Sequence, residues 1–218
     1  VWGFTKVKGR IGKVILQESD IFYKNKFFPG TKLNYAENML KKNDLGPAII
    51  FKSENGYRST VNWKNLNLDV EKISNWLLFN GIKKGERIAA YLPYIPEAVI
   101  AYLGTSALGA IWSSCSPDFG TTGVVDRFSQ INPKVLFIVE KYYYNAKEIN
   151  VLNRSQEILY NIPSIQHLVI ISYPGTKISN KKMNIKNIKI TEWNDIFDNS
   201  DEKMNFKLFN FNHPLAIL

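Results

Sequence analysis

Between Arg87 and Val139 the chain repeats one pattern: a short apolar run, a Pro or Gly, then an amphipathic stretch that leads into the next apolar run. Residues 87–92 read as a buried strand stopped by Pro93. Pro96 then stands where the first turn of a helix tolerates proline, and Glu97 to Leu108 follows with Gly104 and Ala107 keeping its surface low. Residues 110–114 read as the next strand, 121–131 as a helix and 135–139 as a third strand. Such βαβαβ alternation confines the chain to an α/β fold, because parallel strands need crossover connections and the crossing helices cover the sheet. The expected architecture is a mainly parallel sheet flanked by helices.

The flanks add smaller pieces. Two β-rich runs, 48–51 and 57–61, enclose Glu54-Asn55-Gly56, and Asn-Gly between such runs signals a peripheral β-hairpin. From Trp63 to Phe79 the apolar positions Leu66, Val70, Ile73 and Leu77 recur at helical spacing, ended by Asn80-Gly81. Asn34 is placed to cap a short helix, with Glu37 as the partner of a capping box. Beyond Val139 a helix is expected over 148–160, a strand over 168–171, an exposed loop over 177–189, a strand over 190–193 and a short helix near Asp195. Residues 1–46 read as an extension packed on the domain, and 47–218 as one α/β unit.

Several function classes fall away. A net charge of +9 invites a nucleic-acid reading, but it comes from 28 basic residues of which only 5 are Arg, and the lysines are scattered. Nucleic-acid readers lean on arginine forks for guanine and phosphate, so no nucleic-acid partner is expected. No apolar run nears a membrane span, and the single cysteine, Cys115, with no visible secretory leader, points to the cytoplasm. Neither a Walker loop, a GxGxxG turn, a GxSxG elbow nor a Cys/His cluster occurs. Asp118 to Gly123 imitates a phosphate loop, with Thr121 or Thr122 read as a plain helix cap. His167 and His213 read as structural, and Cys115 as a small buried thiol. Tyr142-Tyr143-Tyr144 between Lys141 and Lys147 could stack a base and hold a phosphate, or lie over neighbouring apolar surface.

The runs Phe28-Pro29-Gly30-Thr31-Lys32-Leu33-Asn34-Tyr35-Ala36-Glu37-Asn38, Tyr91-Leu92-Pro93-Tyr94-Ile95-Pro96-Glu97-Ala98-Val99 and residues 108–120, continuing through 125–131, resemble the adenylate-forming acyl-CoA synthetases, and among them the ligases that take acetoacetate. The resemblance implies the large N-terminal domain of such an enzyme. It also implies ATP, Mg²⁺ and CoA as cofactors, with acetoacetate and the remainder of its own polypeptide as partners and no membrane or nucleic acid.

In that superfamily a Ser-Gly-Thr-Thr-Gly-x-Pro-Lys loop follows a strand resembling residues 214–218. The chain ends in such an apolar run, so it is expected to be the N-terminal part of a longer protein, with the ATP and Mg²⁺ sites beyond Leu218 and no catalytic or metal-binding residue inside it. By the same resemblance Tyr144 and Lys147 fall where related enzymes hold the 3′-phosphate end of CoA with two arginines. A stand-alone binding or regulatory module of the same fold is the rival expectation.

Overall fold

The structure is a computed structural model that describes residues 2–176, 185–197 and 205–218. The N-terminal region supplies four two-residue strands, β1 (Gly9–Arg10), β2 (Leu16–Gln17), β3 (Lys26–Phe27) and β4 (Lys32–Leu33), and a short helix α1 (Tyr35–Met39). Then come β5 (Pro47–Lys52), β6 (Arg58–Asn62) and α2 (Trp63–Phe79). The repeating part comprises β7 (Arg87–Tyr91), α3 (Pro96–Leu108), β8 (Ile111–Cys115), α4 (Thr121–Ser129) and β9 (Val135–Val139). It is followed by β10 (Lys141–Tyr144), β11 (Lys147–Asn150), α5 (Ser155–Asn161), β12 (His167–Ile171), β13 (Lys189–Glu192) and β14 (Phe209–Asn210).

Five strands form one parallel sheet in the order β13-β12-β9-β7-β8, with Ile88 beside Val135 and Leu168 beside Leu136 in register. The chain steps one way from β7 to β8 and then crosses back to place β9 on the other side of β7. Right-handed crossovers running in opposite directions put their helices on opposite faces. Accordingly α2 packs on α3 and α4 packs on α5. All five residues of β9 are wholly buried, as a strand covered on both faces requires. Phe137 lies among Trp76, Trp112 and Trp193. The expected mainly parallel α/β sheet with a peripheral hairpin is the observed one, the hairpin being β5 with β6.

Local chemistry sets the element ends. Asn62 caps α2 by accepting from the Asn65 amide at 2.7 Å, and Gly81, at φ 78°, carries the chain out of it. Gly104 lets α3 approach α2 closely: a β-carbon there would stand 2.6 Å from Ile73 Cγ2. Asn34 accepts from the Glu37 amide at 3.3 Å and, fully buried, also donates to the Ala107 and Lys207 carbonyls. The Glu37 carboxylate lies 3.9 Å from the Lys8 ammonium. Helix α4 departs from expectation: neither Thr121 nor Thr122 caps it. Gly120 is the cap residue and supplies no side chain, so the backbone alone turns into the helix.

The last residues lie along the sheet. Trp112 N–H donates to the Leu215 carbonyl at 3.1 Å and its own carbonyl accepts from Ile217 N–H at 2.8 Å, a parallel bridge on the outer edge of β8. The polar stretch 177–184 lies outside the described residues. Residues 185–188 form a turn into β13, and Trp193–Phe197 is the short helix foreseen near Asp195, a 3₁₀ one. Among the described residues no helix is long and apolar enough to cross a membrane.

Candidate functional site

In an open parallel sheet the crevice for a ligand forms outside the carboxyl ends of the strands where their order reverses, here between β7 and β9. Tyr91 closes β7, is wholly buried, and its hydroxyl lies 2.5 Å from the Phe119 carbonyl and 3.1 Å from that of Pro117. Arg154, just before α5, reaches into the same place. Its Nη1 donates to the Tyr91 hydroxyl at 2.5 Å, to the Pro117 carbonyl at 2.8 Å and to the Phe119 carbonyl at 3.3 Å. The loop after β8 is thus pinned by one guanidinium, and burial pushes the Tyr91 phenol up.

The loop carries Asp118, whose carboxylate accepts from Ser116 Oγ at 2.8 Å and from the Tyr142 hydroxyl at 2.7 Å. These two hydrogen bonds, with Arg154 nearby, hold the Asp118 carboxyl below its usual range. The Tyr142 phenol is raised, first by burial and then by the Asp118 bond. Phe119 lies under the Arg127 guanidinium, 4.5 Å from ring centroid to Cζ. The result is a rigid shelf at the carboxyl edge, with an anionic tip and the exposed start of α4 beside it.

The sequence reading fails next to this shelf. Residues 148–160 do not form one helix: Lys147–Asn150 is strand β11, paired antiparallel with β10, and helical backbone starts only at Leu152. Cross-strand chemistry explains the change. Glu148 faces Tyr143 and accepts from its hydroxyl at 2.7 Å and from Lys141 Nζ at 3.1 Å, a gain open to it only in the hairpin. Asn145 and Ala146, at φ 50° and 57°, make the two-residue turn.

Tyr144 and Lys147 stand opposite each other beside that turn, both exposed. Alternate residues share a hairpin face, so they lie on the side of Tyr142, which turns toward the Asp118 shelf. The structure therefore brings the two residues together beside a loop at the carboxyl edge of the sheet. The Ala146 amide donates to Glu54 Oε2 at 3.2 Å, which joins this turn to the tip of the β5–β6 hairpin. Arg154 escaped the sequence reading, and Tyr91 entered it only as part of a strand and of a family-like run. That Arg154 is one of only 5 arginines in a lysine-rich chain was the available signal.

Other candidates take quieter roles. Cys115 is buried and its thiol is pushed up by burial, the opposite of an activated nucleophile. His167 packs edge-on against Trp76, and His213 Nε2 lies 2.7 Å from the Gly109 carbonyl, so both serve the packing. Beyond the ends of β12 and β13 a cavity of about 510 Å³ is lined by Tyr57, Tyr173, Trp193, Glu97 and Glu192. Burial raises the Glu97 carboxyl to about 7, aided by Asp69, itself raised to about 6 by burial.

Could CoA, ATP or Mg²⁺ be held by these residues? The turn offers an ammonium, a phenol and a backbone amide already engaged with a carboxylate, a donor set that fits a phosphate monoester. Among the described residues no group of three or more His, Cys, Asp or Glu could hold a metal ion, and the 218 residues contain no Ser-Gly-Thr-Thr-Gly-x-Pro-Lys run.

The family model described as AMP-binding enzyme matches residues 40–201. The acetoacetyl-coenzyme A synthetase of Rhizobium meliloti (strain 1021) is 39% identical over 175 residues, covering 80% of this chain and 27% of that protein. Acetoacetyl-CoA synthetase of Rattus norvegicus is 36% identical over 199 residues, covering 88% of this chain and 29% of its own length. Among solved structures, acetoacetyl-CoA synthetase from Streptomyces lividans superposes with a TM-score of 0.87 at 30% identity, over 100% of this chain and 33% of that one. The chain thus spans under a third of the length of these curated relatives. With three quarters of its residues inside the family model and its whole fold reproduced in a solved relative, the chain belongs to the AMP-binding enzyme family.

Proposed function

We propose that this chain is the N-terminal part of an acetoacetate–CoA ligase, converting acetoacetate, ATP and CoA to acetoacetyl-CoA, AMP and pyrophosphate through an acyl-adenylate. The observation that carries this reading is the run of acetoacetyl-CoA synthetases at 34–39% identity across 80–88% of the chain. CoA supplies the thiol that ends as the thioester, and ATP with Mg²⁺ activates the carboxylate at residues outside this chain. The role left to these residues is binding and placement. Lys147 and Tyr144 meet the 3′-phosphate of CoA, while Arg154, Tyr91 and Asp118 keep the neighbouring loop from moving as CoA is seated. The buried, unactivated Cys115 is in keeping with a reducing, cytoplasmic setting.

The test is acetoacetate-dependent ATP–pyrophosphate exchange by the complete gene product, with no exchange from residues 1–218 alone. Exchange by the short chain, or a complete protein indifferent to acetoacetate, overturns the proposal. For the CoA contact, Lys147→Glu should raise the KM for CoA more than about tenfold, the worth of one lost charged hydrogen bond with like-charge repulsion added to it. An unchanged KM removes Lys147 from the site.

A further inference from the structure

The turn proposed to meet a phosphate already holds an anion supplied by the chain itself. Asn145 and Ala146 both adopt left-handed backbone in the two-residue turn, and the Ala146 amide donates outside the hairpin. Its acceptor is Glu54, whose Oε2 takes the Ala146 N–H at 3.2 Å although 92 residues separate the two.

This approach is built, not incidental. Glu54 sits in a braced loop: Ser53 N–H bonds to the Tyr57 carbonyl at 3.0 Å, Gly56 N–H bonds to the Ser53 carbonyl at 3.1 Å, and Asn55 Oδ1 takes the Tyr57 amide at 3.1 Å and the Ser53 hydroxyl. Tyr173 then locks the two hairpins side by side, contacting Phe51 of β5 at 6.3 Å and Tyr143 of β10 at 5.5 Å between ring centroids. Gly175 completes the joint, since a β-carbon there would lie 2.5 Å from the Tyr57 ring. Among the described residues the adjacent Lys147 ammonium has no ion-pair partner.

We infer that Glu54 is an internal stand-in for phosphate, holding the Asn145–Ala146 turn by its carboxylate until the 3′-phosphate of CoA displaces it, so that Glu54 sets how strongly the protein prefers CoA over its 3′-dephospho form. This rests on the reading of Tyr144 and Lys147 as the 3′-phosphate contact. The physical reason is charge. A phosphate monoester brings close to two negative charges to a turn that already carries one, so Glu54 must swing away or repel it. In the absence of CoA the same carboxylate keeps the turn formed and the lysine beside it free.

The experiment is calorimetric titration of the complete gene product with CoA and with 3′-dephospho-CoA, for the parent, Glu54→Gln and Lys147→Gln. Glutamine retains an oxygen acceptor for the Ala146 amide and removes only the charge. The expected result is CoA binding about three- to tenfold tighter in Glu54→Gln with dephospho-CoA unchanged, the gain shrinking in 0.5 M salt because the groups are exposed. Equal changes for both ligands, or weaker CoA binding, overturn the inference. If the parent prefers CoA, Lys147→Gln abolishes the preference and Glu54→Gln leaves it alone, the inference falls while the contact reading stands. If the parent binds both ligands equally and Lys147→Gln changes neither, the contact reading falls and takes Glu54 with it. A ligand-free melting curve of Glu54→Gln matching the parent separates these outcomes from misfolding.

Discussion

The parallel sheet and the β10–β11 hairpin both pair backbone groups, but under opposite solvent conditions. In β9 every side chain is buried on one face or the other, and the strand is held by dispersion and burial inside the apolar core to which α2, α3, α4 and α5 contribute. In the hairpin most side chains stay wet, and the holding contacts are named polar pairs: Tyr143 with Glu148, Lys141 with Glu148, Tyr142 with Asp118, Ala146 with Glu54. The lesson is one of tolerance. The sheet should accept exchange of one apolar residue for another of like volume, whereas the hairpin should respond to loss of single polar atoms and to salt.

The strongest way to break this contrast is Phe137→Ala, which empties a wholly buried ring site among three tryptophans. A loss of about 3–5 kcal/mol is expected in denaturant unfolding; a loss under about 1 kcal/mol would show that the sheet repacks as freely as a surface.

Next comes Glu97, a carboxyl on the helix layer that is raised to about 7 from 4.5 by burial. A folded state that binds this proton more tightly than the unfolded chain gains stability that is full below 4.5 and is lost as pH rises through 7. Glu97→Gln should therefore match the parent at pH 4 and melt a few degrees higher at pH 8, on the order of 1–3 kcal/mol. Equal melting temperatures at pH 8 would count against the buried-carboxyl account.

On the hairpin side, Tyr142→Phe leaves Asp118 without its phenol donor and should cost about 1 kcal/mol while raising the Asp118 pKa by NMR titration. An unmoved Asp118 titration would mean that Ser116 and Arg154 suffice. The smallest effect sharpens the turn assignment. Ala146, at φ 57°, occupies backbone that suits glycine, so Ala146→Gly should stabilise by roughly 0.5–1 kcal/mol. Destabilisation would argue for a different turn.

The same contrast decides what could be read from the chain. Residues 135–139 announce a strand because burial on both faces permits nothing but apolar side chains. The β5–β6 hairpin announced itself through Asn55-Gly56, a pair whose backbone preferences make the turn without help. The β10–β11 turn uses Asn145-Ala146, where alanine carries no such signal, and Glu148 fits a helix start as well as a strand. What tipped it was Tyr143 across the hairpin, a partner fixed only by tertiary placement. The Arg154 anchor was hidden for a related reason: its acceptors are the carbonyls of Pro117 and Phe119, and backbone atoms carry no letter in a sequence.

The seating of residues 215–217 on the outer edge of β8 has a consequence for how the protein is made. The strand they cover is completed about a hundred residues earlier, so on a ribosome moving at roughly 5–20 residues per second that edge waits on the order of 5–20 s for its neighbour. An apolar strand with a free edge is a template for the wrong partner, including the same strand of another nascent copy. Newly synthesised chains should therefore depend on chaperones during that interval, and codon changes that slow translation between Cys115 and Leu215 should lower soluble yield without altering the finished fold.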